Sequence, residues 1–142
     1  MWVLLYLSYM KFVIKKLLNE HLFDRESNEQ VELLNTFVDF CGKYLGIKPP
    51  KINLQFNREG LVTTASYGEN KVKIYAKDRA SVDIMRSIAH ELVHMLQDQE
   101  GRLNQKHHDD NNDAGSPIEN EANAKAGEIM RKFGEEYPEI YI

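Results

Sequence analysis

Between Ser81 and Gln99, the apolar residues Ile84, Met85, Ile88, Ala89, Leu92, Met95 and Leu96 recur at intervals of three and four. That is the period of a helix with one face committed to a core. Ser81 is placed to cap such a helix, Asp83 suits its first turn and Gly101 stands just past its end, so a helix is predicted from Val82 to about Gln99. On the same wheel His90 and His94 stand opposite the apolar stripe, with Glu91 at the edge of their sector. The chain must therefore fold around a helix that is apolar on one side and carries two imidazoles, one turn apart, on the other.

The flanking segments narrow the class of fold. Phe12, Val13, Ile14, Leu17, Leu18, Leu22 and Phe23 have helical spacing, which predicts a short amphipathic helix over 12–23. A second helix is expected to start at Ser27 and Asn28, to carry Val31, Leu34, Phe37, Val38, Cys41, Tyr44 and Leu45 inward, and to stop at Gly46. After Pro49 and Pro50 come three β-type runs, 52–56, 61–67 and 71–76, whose breaks suit turns between antiparallel strands. The third run alternates Val72, Ile74 and Ala76 against Lys71, Lys73 and Tyr75, as a half-buried strand does. Residues 101–116 are polar and without period, a connection of a length that is usually functional. A last helix is predicted from Ser116 and Pro117 to about Phe133. The expected fold is α+β in a single domain, 1–142. A small, mostly antiparallel three-stranded sheet packs on the histidine helix, with N-terminal helices and a C-terminal helix around it.

Composition excludes several functions. A chain with 42% hydrophobic and 28% charged residues is globular, and at this length it buries roughly 70% of its unfolded surface, so a metal is not needed as a staple. Eighteen Lys and Arg against 22 Asp and Glu leave a net charge of −4, which argues against binding nucleic acid or anionic membrane through phosphates. The single Cys excludes an internal disulfide and a Cys-based zinc site; Cys41 lies on a core face with no basic group beside it. The opening MWVLLYLSYMKFVI is apolar except for Ser8 and Lys11. It is shorter than the ~20 apolar residues of a spanning helix and lacks the basic lead and cleavage site of a secretory signal. Because Met10 begins an ordinary N-terminus, MKFVIKKLL, residues 1–9 are expected to be an upstream extension. The expected protein is a cytoplasmic monomer with neither a membrane nor a nucleic-acid partner.

The chemistry lies in His90-Glu91-Leu92-Val93-His94, an H-E-x-x-H string inside the predicted helix. Two His at i and i+4 can reach one tetrahedral cation, while the intervening Glu projects toward a water beside it. Catalytic zinc takes three protein ligands and keeps one position open, so a third donor is required. His107, His108, Asp109, Asp110, Glu119 and Glu121 are the candidates, and MLQDQEG after His94 excludes the H-x-x-G-x-x-H extension of metzincins. Glu119 shares its helix side with Ala122, Asn123, Ala126, Met130 and Phe133, whereas Glu121 lines up with Lys125, Glu128 and Lys132 in a charge ladder. The inward side favours Glu119, with small residues that admit a close helix and Asn123 one turn on to hydrogen-bond a ligand. Glu121 and the loop histidines remain open. Ser116-Pro117-Ile118-Glu119 also reads as a capping box, a role that leaves the alanines unexplained. His107 and His108 are solvated loop residues or, if the loop folds over the site, oxyanion donors. Tyr137 and Tyr141 read as tail packing.

With H-E-x-x-H followed by Glu119-Asn120-Glu121-Ala122-Asn123, residues 71–134 resemble the gluzincin zinc metallopeptidases. They are similar in particular to the ImmA/IrrE-like metallopeptidases, often encoded by phages and mobile elements, which pair H-E-x-x-H with a downstream E-x-x-A-N. Val93 stands where such proteins commonly carry Gly, and Lys125 where an aromatic commonly follows. The resemblance assigns the third-ligand role to Glu119 rather than Glu121. It implies a zincin-like fold and one zinc ion per chain on His90, His94 and Glu119. It further implies a peptide or protein substrate, cleaved by a zinc-activated water with Glu91 as general base, in the host cytoplasm for a phage-encoded chain. The run 71–76 resembles the zincin edge strand along which an extended substrate lies. The alternative is a non-catalytic zinc-binding or protein-interaction module of phage or mobile-element origin, in which the metal only ties two helices together and Glu91 has no task.

Overall fold

Val31, Leu34, Phe37, Val38 and Cys41 give helix α1 (Asn28–Leu45) its inward side, and the helix ends where Gly46 adopts φ 69°. The Ile47 amide then donates to the Gly42 carbonyl at 3.0 Å, the six-to-one bond of a Schellman ending. This return presses Pro49 onto Gly42, where an added Cβ would lie 2.6 Å from Pro49 Cγ. Gly42→Ala is accordingly expected to destabilise the fold by about 1–3 kcal/mol, read from the midpoint of chemical denaturation. A computed structural model describes residues 28–57, 64–103 and 116–141. The helix expected over 12–23, residues 1–9, His107, His108 and most of the 101–116 connection lie outside the described residues.

Three strands follow, β1 (Ile52–Gln55), β2 (Ala65–Gly68) and β3 (Lys71–Tyr75). Glu69 and Asn70, with φ of 53° and 59°, close a two-residue turn between β2 and β3, the positive-φ type that matches strand twist in a hairpin. The sheet is mixed, however, and its order is β1-β3-β2. β3 pairs with β1 in parallel, Ile52 opposite Val72, and with β2 antiparallel, Tyr67 opposite Val72. The expectation of a mostly antiparallel meander is thus corrected, and with it the placing of 71–76 at an edge. Burial explains the outcome: Val72 and Ile74 are fully buried, while β1 and β2 are only partly so. The strand with the most apolar inner row therefore takes the centre, where both of its backbone edges are hydrogen-bonded.

Arg79 sets the angle at which the chain leaves the sheet. Its guanidinium donates to the Tyr75 carbonyl at 2.6 Å, to Asp83 Oδ2 at 2.8 Å and to Ser87 Oγ at 2.6 Å, fixing the end of β3 to the first two turns of helix α2 (Ser81–Gln99). The N-cap is Ala80, without a side-chain hydrogen bond, rather than Ser81. Ser81 is instead the first residue inside the helix, and its buried hydroxyl finds no partner among the described residues. Helix α3 (Pro117–Glu136) runs beyond the expected end at Phe133 and is followed by a short 3₁₀ turn, Pro138–Tyr141.

The core lies between the inner face of the sheet and the three helices, and α2 packs most extensively on α3. Ala122 and Ala126 are buried on α3, so the small residues do admit a close neighbour. Phe133 is the hub of the aromatic contacts, edge-on to Phe37 at 5.0 Å and to Phe40 at 5.4 Å, and stacked on Tyr137 at 4.6 Å. Tyr137 is thus occupied in tail packing. Phe133→Ala should cost about 3–5 kcal/mol of stability, since three rings lose their common partner, and calorimetry or denaturant titration measures it. Cys41 is fully buried, and burial pushes its thiol up to about 12, which makes it a packing residue. No described helix is long and apolar enough to cross a membrane.

Candidate metal centre

The last three turns of α2 carry His90 and His94, and the first turn of α3 brings Glu119 to them. His90 Nε2 lies 3.1 Å from Glu119 Oε2, His94 Nε2 lies 2.9 Å from Glu119 Oε1, and the two ring nitrogens are 3.1 Å apart. The rings stand nearly perpendicular, at 87°, with their Nε2 atoms and the Glu119 oxygens gathered in one cluster. Ligands held at 2.0–2.1 Å around a tetrahedral zinc are about 3.3 Å from one another, close to the edges of this triangle. His90, His94 and Glu119 are therefore positioned to hold a single metal ion.

The donor chemistry fits a cation better than it fits a hydrogen-bonded cluster. His94 Nδ1 faces the side-chain oxygen of Gln97 at 2.8 Å, and a ring nitrogen facing an acceptor carries the hydrogen. In neutral His94 the Nε2 atom is then a bare lone pair, facing the Glu119 carboxylate at 2.9 Å with no hydrogen between them. Two acceptors at that distance repel unless a proton or a cation sits among them. Burial, followed by the neighbouring His94 ring, holds the pKa of His90 below its ordinary value, against the raising influence of Glu119 and of a hydrogen bond to Asn123. Burial thus favours the uncharged form of His90, the form in which an imidazole can bind a cation, and Asn123 is its hydrogen-bond partner, as its position one turn beyond Glu119 predicts.

Glu119 also meets the helix cap halfway. The Ser116 hydroxyl accepts the Glu119 amide at 3.2 Å, as the capping box predicts, but the carboxylate turns to the histidines instead of back to the Ser116 backbone. Only the Ser116 half of the capping box is made, and the Glu119 carboxylate is left free to face the histidines. Glu121 is not part of the triangle. It pairs through both oxygens with the Arg102 guanidinium, accepts from Gln97 Nε2 at 3.2 Å and lies 3.8 Å from Lys125 Nζ.

Glu91 stands outside the triangle and is buried, with 7% exposure. Burial, and then the charge of Glu119, pushes its carboxyl up to about 8. Glu91 shares a row of α2 with Asp98, and that row faces β2, because Asp98 accepts the Tyr67 hydroxyl at 2.8 Å. The next row, His90, His94 and Gln97, faces α3.

Gln97 is the site residue that motif reading passes over. It is fully buried, three positions after His94, and a polar side chain in the inward half of a helix was the available signal. The chain matches no family model, no curated protein and no solved structure.

Proposed function

We propose that the chain is a zinc-dependent endopeptidase. The observation that carries this reading is the convergence of His90, His94 and Glu119 on one point next to a buried carboxyl, Glu91, that is not one of the three donors. A metal that only tied α2 to α3 would need the three donors and nothing else. Bound zinc supplies a Lewis acid that polarises a scissile carbonyl and acidifies water. Glu91 takes the proton from the attacking water and returns it to the leaving amine nitrogen as the C–N bond breaks.

Substrate placement follows from the corrected sheet. β3 has strands on both sides, so an extended peptide has no free edge there; β2 has β3 on one side and, among the described residues, no strand on the other. A peptide added to β2 would run beside the row that carries Glu91. The test is a denatured proteome digested with tag-free protein and read by mass spectrometry. New termini are expected with zinc and not after chelation, returning when zinc is restored. Equal cleavage with and without chelator, or none in either state, contradicts the proposal.

A further inference from the structure

Resting on the metal site proposed above, we infer that Gln97 is a positioning residue for His94: held by the Ile118 carbonyl and the Glu121–Arg102 pair, it keeps the His94 ring in the tautomer and orientation that present Nε2 to the metal.

The amide is oriented without ambiguity. Its nitrogen faces two acceptors, the Ile118 carbonyl at 3.2 Å and Glu121 Oε2 at 3.2 Å, so its oxygen is the atom turned to His94 Nδ1. With full burial, rotation of the amide would strand two acceptors and one donor. The clamp is itself built from the end of α2. Gly101 adopts φ 74°, and the Arg102 amide donates to the Gln97 carbonyl at 2.9 Å while the Gly101 amide donates to Asp98 at 2.9 Å, a full Schellman ending. That turn delivers the Arg102 guanidinium to Glu121, whose carboxyl is held below its ordinary range chiefly by the Arg102 hydrogen bonds. A chain of oriented contacts thus runs from Arg102 through Glu121 and Gln97 to His94, and it crosses between the two helices that must come together to form the site. The acid excluded from the metal triangle acts on it through one intermediary.

The test measures zinc affinity of the full chain by competition with a chromogenic chelator, and the His94 tautomer of the metal-free protein by long-range ¹H–¹⁵N correlation of the imidazole ring. Wild type should show hydrogen on Nδ1. Gln97→Leu should keep its circular dichroism, lose the single tautomer and bind zinc about 10–100-fold more weakly, the usual effect of removing a partner behind a ligand. Should Gln97→Leu fail to fold, Glu121→Ala, at a part-exposed position, is expected to weaken zinc several-fold with the tautomer mixed. Wild-type affinity and tautomer in Gln97→Leu, or in Glu121→Ala when that variant carries the test, overturns this inference and leaves the metal site standing. A wild-type chain that binds no zinc overturns the metal reading itself.

Discussion

Glu91→Gln is expected to lower zinc-dependent peptide hydrolysis by about 10²–10⁴-fold while the protein still takes up one zinc ion per chain. The amide matches the carboxyl in shape, so the core around position 91 is kept, but it can neither accept the water proton nor pass it on. Turnover of a peptide found in the proteome digest, beside zinc content, separates the two effects; undiminished turnover would remove Glu91 from the chemistry. The same substitution has a second, pH-dependent consequence in the metal-free protein. The Glu91 carboxyl is pushed up to about 8 from 4.5, so the fold favours its protonated form. Stability from this group is therefore fully present below about pH 4.5 and is lost as the pH rises toward about 8, a decline on the order of a few kcal/mol. Glu91→Gln should abolish that decline and raise the melting temperature of the metal-free protein at pH 8. Zinc should act in the same direction on wild type, since a nearby cation favours the carboxylate.

The second large effect distinguishes the two acids of α3. Structural zinc sites bind with about 10–16 kcal/mol over four ligands, so losing one ligand costs about 3–4 kcal/mol, or about 10²–10³ in affinity. Glu119→Ala should show that full loss, because its two oxygens reach both histidines. Glu121→Ala should lose about tenfold or less, since its carboxylate reaches the site only through Gln97. Chelator competition on the two variants side by side gives the ratio, and the reverse order would place the third ligand on the wrong acid.

Much of the site was readable in advance, because a helix has one period and therefore only a few ways to place a side chain. The spacing of Ile84, Ile88 and Leu92 settles where His90 and His94 point, and the alanines at 122 and 126 settle which side of α3 meets them. The sheet was less readable. Strand order depends on long-range pairing, and the break after β1 looks the same whether the chain turns back beside β1 or passes over to leave room for β3. Local alternation identified the strands but not that the most apolar of them would sit in the middle, which leaves β1 and β2, not β3, at the edges. Gln97 escaped for another reason. Its value lies in three partners at 94, 118 and 121, two of them on another helix, and no spacing rule along α2 encodes them. The cap of α2 illustrates the same limit: Ser81 has the residue type, yet Arg79, acting through Tyr75, Asp83 and Ser87, sets where the helix begins.

The central claim, that His90, His94 and Glu119 hold one zinc ion, is tested most directly by metal analysis of tag-free protein purified without chelator and dialysed against metal-free buffer. One zinc per chain in wild type, and none in His94→Ala of unchanged circular dichroism, is the predicted result. A correctly folded wild-type chain that retains no zinc, or an equal content in His94→Ala, contradicts the account.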